Sequence, residues 1–124
     1  ASKNNIEFKW NKKFPINSLD LMRGYLSIND QIKKKYFEVC FDSYWKDDLD
    51  ISENKNMIKI LEICKIDQNK FLDDIKDQKI KDELKYLTDI AFKNDIFGAP
   101  TFIVNKKIFW GQDRLEYAID EVLI

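Results

Sequence analysis

Histidine is absent from the 124 residues. This excludes a Ser-His or Cys-His catalytic pair within the segment, and with it any His-ligated metal, so no metal site is expected. Cysteine occurs only at Cys40 and Cys64, too far apart for a C-x-x-C motif and each on the apolar side of a predicted helix. Buried thiols acting as small hydrophobes are the ordinary reading, with a disulfide or redox role as the alternative. Three glycines and two prolines leave little for long loops, so helices should dominate. No apolar run approaches a membrane span, and no charged-apolar-small signal pattern opens the chain. With 21 basic and 22 acidic residues the net charge is −1, which gives no reason for a nucleic-acid or membrane partner. Arginine appears only at Arg23 and Arg114, positions where a lysine-rich chain can need a planar fork.

What is present fits one soluble domain with a single core. Residues 1–5 are polar and read as unstructured. Ile6, Phe8 and Trp10 alternate with Glu7 and Lys9, the period of a half-buried extended segment. After Pro15, Asn17 or Ser18 caps a short helix marked by Leu19, Met22, Tyr25 and Leu26 and ending near Asn29. Asp30 caps a second helix, whose Ile32, Tyr36, Phe37, Cys40, Phe41, Tyr44 and Trp45 make a wide apolar stripe. Such a stripe is ordinarily core, and lining a ligand pocket is the alternative. A polar loop over Lys46–Asp50 leads to a third helix capped by Ser52, with Met57, Ile58, Leu61 and Cys64 on one side. Asp67 opens a fourth helix with Phe71, Leu72 and Ile75. Asp77 caps a fifth, in which Ile80, Leu84, Leu87 and Ala91 fall at helical spacing, and Asn94 ends it in the left-handed conformation.

The only clear β-structure lies in Phe97–Leu115. Thr101–Val104 and Lys107–Trp110 are β-branched and aromatic runs joined by Asn105-Lys106, a tight-hairpin signal. Both faces of this hairpin are apolar: Phe102 and Val104 point one way, Ile103 the other, and Ile108, Phe109 and Trp110 follow in succession. Such a ribbon belongs inside a sheet covered on both sides, because two strands alone are marginal in water. The missing strands are therefore expected from sequence outside residues 1–124 or from a second copy.

The two ends of the hairpin carry the chemistry. A cis Ala99–Pro100 bond would turn the N–H and C=O of Ala99 outward to pair with an extended, peptide-like ligand. An ordinary trans proline starting an edge strand is the competing reading, and the residues leave both open. At the far end, Asp113 and Glu116 match a capping box, with Leu115, Ala118, Ile119 and Val122 as the buried side of the helix. Beyond capping, exposed N–H groups at a helix start attract a carboxylate while Asp113 can hold an ammonium. Together they would grip the zwitterionic end of an amino-acid-like ligand. Trp110 and Phe109 read as core or as pocket walls.

The run Ile96-Phe97-Gly98-Ala99-Pro100-Thr101-Phe102, the hairpin, and Phe109-Trp110-Gly111-Gln112-Asp113-Arg114-Leu115 resemble the end of 2-hydroxychromene-2-carboxylate isomerases. With kappa-class glutathione transferases, these form part of the DsbA-like branch of the thioredoxin superfamily. Phe14-Pro15-Ile16-Asn17-Ser18-Leu19 is similar to the family's F-P-x-N-S-L segment. Ala99 departs from a common valine, a change that a backbone contact survives. The resemblance implies a mostly helical α/β chain: a DsbA-like thioredoxin fold with a helical insertion, whose N-terminal strand-helix-strand unit is missing here. Residues 1–17 would be an extended lead-in, 18–76 the helical insertion, and 77–124 the C-terminal helix-strand-strand-helix half.

The resemblance also implies glutathione as cofactor. Ala99, before a cis Pro100, would pair with its cysteinyl backbone, Gln112 and Asp113 would hold the γ-glutamyl end, and Pro100, Trp110 and Gly111 would complete the glutathione-binding set. Phe14, Pro15 and Asn17 would face a small aromatic substrate. The implied reaction is cis-trans isomerisation in aromatic catabolism: the thiolate adds to the substrate's activated double bond, the resulting single bond rotates, and the thiol is expelled. The family's thiol-activating serine matches nothing in this sequence, so no catalytic residue is assigned and the segment alone is expected to be inactive. A kappa-class transferase, a DsbA-type thiol-disulfide oxidoreductase with its C-x-x-C outside this segment, and a fragment or swapped assembly without activity are the alternatives. A homodimer or a strand-completing partner segment is expected. So is a cytoplasmic location, with a signal peptide ahead of the segment left open.

Overall fold

A computed structural model describes residues 2–124. Six α-helices and one hairpin follow one another in the expected order: α1 (Leu19–Ser27), α2 (Asp30–Trp45), α3 (Asn54–Cys64), α4 (Gln68–Asp74), α5 (Gln78–Lys93), β1 (Thr101–Val104), β2 (Lys107–Trp110) and α6 (Leu115–Val122). Among the described residues, no helix is long and apolar enough to cross a membrane. The chain divides into two compact units, one ending at Lys85 and the other comprising Tyr86–Ile124, so that α5 crosses the division.

The first unit is helical and contains the main core. Leu21, Tyr36, Tyr44, Met57, Ile60, Leu61, Cys64, Phe71 and Ile75 are buried together. Phe71, 1% exposed, lies where a side chain on Gly24 would have to go, and α1 and α4 meet through that missing Cβ. The hydroxyl of Tyr36 donates to the carbonyl of Leu21 at 2.7 Å, which satisfies the one polar atom this ring brings into the core.

Several local expectations differ from the structure. Ser2–Asn4 forms a 3-10 turn instead of an irregular lead, and Ala1 lies outside the described residues. Ile6, Phe8 and Trp10 enter no sheet and are exposed. Their segment is held instead by the Lys9 N–H donating to the Trp45 carbonyl at 2.6 Å, and by Asn11, whose amide donates to the carbonyls of Tyr44 and Leu49. Asn11 is 1% exposed, a buried polar group fully used in tying this strand-like stretch to the end of α2. Phe37 and Phe41 leave the α2 core stripe and stack on each other in solvent, with ring centroids 4.3 Å apart.

Helix starts also shift by a residue. Asn29, not Asp30, caps α2, accepting from the Gln31 N–H at 2.9 Å, while Ser52 is taken up by a turn around Asp50 and leaves Glu53 at the head of α3. Asp67 and Asp77 accept from the N–H groups of Lys70 and Lys79 as their positions predict. At the end of α5, Asp95 and not Asn94 takes the left-handed conformation, with φ 58°. The Ile96 N–H then reaches back to the carbonyl of Ala91 at 2.9 Å, closing the helix with a Schellman-type bond.

In the second unit β1 and β2 pair antiparallel, Thr101 opposite Trp110 through Val104 opposite Lys107. Asn105 and Lys106 both have positive φ, the geometry of a two-residue turn matched to strand twist. Helix α6 packs on this hairpin and buries Ala118. Phe102, Val104 and Phe109 share one face and are half-buried, whereas Ile103, Ile108 and Trp110 share the other and are exposed. The expected buried side of α6 is realised only at Ala118, because Leu115, Ile119 and Val122 remain exposed. A two-stranded ribbon carries one helix and keeps one apolar face bare.

Candidate functional site

The site is built at the open end of the hairpin, where β1 begins and β2 ends. The Gly98 carbonyl accepts from the Thr101 hydroxyl at 2.5 Å, closing a tight bend around Ala99 and Pro100. The Ala99–Pro100 peptide is cis. Among the described residues neither the N–H nor the C=O of Ala99 has a hydrogen-bond partner, and the residue is exposed. An exposed backbone pair of this kind is an unused stretch of sheet edge.

The Pro100 carbonyl accepts from the Gly111 N–H at 2.9 Å, one rung beyond the Thr101–Trp110 pair. In an antiparallel ladder bonded and non-bonded pairs alternate. Phe102 and Val104 therefore bond across to β2, while the backbone groups of Thr101 and Ile103 face the opposite edge of β1. That one bond also joins the two ends of the site, because it fixes the Gly111-Gln112-Asp113 turn beside Pro100. The indole of Trp110 lies over Gly98, filling the place of a Cβ there, and packs on Phe97 at a ring distance of 5.0 Å. Trp110 is 52% exposed, so it is a wall of the open end and not core.

The capping box expected at Asp113 and Glu116 does not form. Gly111 has φ 100° and ψ 151°, and from it the chain enters a 3-10 turn, Gln112–Arg114, that precedes α6. Asp113 consequently sits inside the first turn instead of ahead of it. No side chain caps either the turn or α6. Among the described residues, the Gln112 and Asp113 N–H groups donate to nothing. The Asp113 carboxylate lies over Gly111, and its one ionic neighbour among the described residues is the Arg114 Nε at 3.7 Å. A released carboxylate next to unused N–H donors can receive a group carrying both charges.

Ala99, Pro100, Trp110, Gly111, Gln112 and Asp113 are thus brought together in the second unit. Phe14, Pro15 and Asn17 belong to the first. There the Phe14–Pro15 peptide is also cis, Asn17 accepts from the Leu19 N–H at 3.0 Å, and Phe14 joins Phe8, Trp10 and Trp45 in an exposed aromatic cluster. That cluster was not legible from the alternating pattern of residues 6–10, which describes spacing along the chain and not contact with α2.

The two thiols are free and buried to different degrees. Burial pushes the Cys40 thiol up to about 12, against a lowering by the Tyr36 hydroxyl, and burial also raises Cys64. Neither is poised as a thiolate at neutral pH. No cluster of three or more potential metal ligands occurs among the described residues.

No curated protein sequence matches the chain. Among solved structures, a 2-hydroxychromene-2-carboxylate isomerase superposes with a TM-score of 0.82 at 20% sequence identity. The match covers 99% of this chain and 62% of the isomerase chain, so the segment spans less than two thirds of that protein's length. At this identity the likeness establishes the fold alone. Residues 1–122 match the family described as the DSBA-like thioredoxin domain, and the chain belongs to that family.

Proposed function

We propose that the chain is the glutathione-holding portion of a glutathione-dependent isomerase resembling 2-hydroxychromene-2-carboxylate isomerase. The observation that carries this reading is the pairing of two unused recognition elements through one hydrogen bond. The free N–H and C=O of Ala99 stand at one side of the Pro100–Gly111 bond, and the uncapped Gln112-Asp113 turn stands at the other. Ala99 offers a short strand edge to the cysteinyl backbone of the tripeptide. The N–H groups of Gln112 and Asp113 receive the α-carboxylate of the γ-glutamyl end, and the Asp113 carboxylate receives its ammonium. Bound glutathione would supply the thiolate for reversible addition to a substrate double bond.

The chain's own residues bind and orient. Trp110 walls the site, and Gly111 gives the turn its shape. The residue that activates the thiol is sought outside residues 1–124, and Phe14, Pro15 and Asn17 are assigned to the side of a small aromatic substrate. In this reading residues 1–17 are a lead-in, 18–76 a helical insertion and 77–124 the C-terminal half of the thioredoxin-like domain. The free edge of β1 meets strands from further sequence or a second copy, and the enzyme works in the cytoplasm.

A kappa-class glutathione transferase would use the same grip on the tripeptide. The family match alone favours a thiol-disulfide oxidoreductase, which would need a redox cysteine pair other than Cys40 and Cys64.

Calorimetric titration of the natural polypeptide that carries these residues, with glutathione, tests the assignment. Asp113→Ala should weaken binding about 10-fold or more, the scale of a hydrogen bond to a charged group. Equal affinity in the two proteins would eliminate the clamp.

A further inference from the structure

We infer that Arg114, seated on the ring of Tyr117, is a positioning residue that holds the Asp113 carboxylate where it reads the ammonium group of the ligand. The inference rests on the glutathione reading above. Asp113 lacks the backbone bonds that ordinarily fix a carboxylate at a helix start. Its side chain is 73% exposed, and its one ionic neighbour among the described residues is the Arg114 Nε at 3.7 Å. Arg114 is itself held: its guanidinium carbon lies 5.6 Å from the centroid of the Tyr117 ring, which stands three residues on in the first turn of α6. Glu116, the nearest competing acid in sequence, forms no ion pair among the described residues. The order of dependence is therefore ring, guanidinium, carboxylate, and the carboxylate stays turned toward Gly111.

An exposed ion pair of this geometry adds little to folding. Its effect falls on where the carboxylate points, and so on which ligands the site prefers. Tyr117 is 57% exposed, and its replacement should leave the fold intact.

The experiment compares binding of glutathione and of glutaryl-Cys-Gly, which keeps the carboxylate but lacks the ammonium, to the natural polypeptide. The wild type should favour glutathione about 10-fold. Tyr117→Leu and Arg114→Gln should each cut that preference about threefold, with the affinity for glutaryl-Cys-Gly and the Tm unchanged. Tyr117→Phe, which keeps the ring, should retain the preference. An undiminished preference in Tyr117→Leu overturns the inference, and so does an equal loss for both ligands, the mark of a merely structural role. A preference that rises in Arg114→Gln also overturns it, since the guanidinium would then be competing with the ammonium. A wild type that binds neither ligand, or both equally, defeats the glutathione clamp beneath and takes the inference with it.

Discussion

A methyl group on Gly111 would lie 2.5 Å from Oδ1 of Asp113. The two residues thus share one small volume: the glycine leaves it empty, and the carboxylate fills it. Gly111 also has φ 100° with ψ 151°, a region that side chains other than glycine's rarely enter. The backbone conformation demands glycine here, and the carboxylate rests in the space that a Cβ would take.

Gly111→Ala should therefore do two things at once. The backbone strain should lower stability by about 1–3 kcal/mol, seen as a lower Tm. The carboxylate should be displaced, so that glutathione affinity falls further than the stability loss alone explains. A variant with unchanged Tm and affinity would contradict the role given to this turn.

Glu121 near the end of α6 ties that helix to the hairpin. It accepts from Lys107 at 2.8 Å and from the Asn105 amide, and the lysine bond first, then the amide, hold its carboxyl below the usual range. A carboxyl lowered on folding adds stability that is complete above its unfolded value, 4.5, and is lost as pH falls through the folded one. The difference in Tm between wild type and Glu121→Gln should be present at pH 7 and should shrink as the pH is taken below 4.5. A pH-independent difference would show that packing, not charge, joins α6 to the hairpin.

Cys40 and Cys64 should react slowly with iodoacetamide at pH 7.5 in the native protein and rapidly once denaturant exposes them. Burial raises both thiols, and Cys64 is 3% exposed. Fast alkylation of either without denaturant would reopen a redox role for the pair.

Much of the second unit was legible in the residues. The strands occupy Thr101–Val104 and Lys107–Trp110, and the Asn105-Lys106 turn has the expected positive φ values. Short-range chemistry decides such features, and it is written in neighbouring residues. The failures have a common cause in longer range. The capping box at Asp113 was a sound local pattern, but Gly111 redirects the chain and moves Asp113 one step inside the turn. Asn11 gave no signal, because a single buried amide serving two distant carbonyls has no periodicity. Phe37 and Phe41 lie on the apolar stripe of α2, yet a stripe records which side of a helix is apolar and not how far its neighbours extend. For the site, the glycine, proline and acid were visible, whereas the unused state of the Ala99 backbone and the support of Arg114 by Tyr117 needed three dimensions.

Proline carries no amide hydrogen. At the rung where Pro100 faces Gly111, the bond from Gly111 to Pro100 forms and the reciprocal one cannot. The Gly111 carbonyl is thereby released from the ladder, and it accepts instead from the Arg114 N–H at 3.1 Å, the bond that closes the first turn after β2. The handover from sheet to helix is thus made by one absent proton, which acts as punctuation between two grammars of hydrogen bonding. Any residue but proline at position 100 would offer a donor to that carbonyl and invite the ladder to run one rung further into the turn.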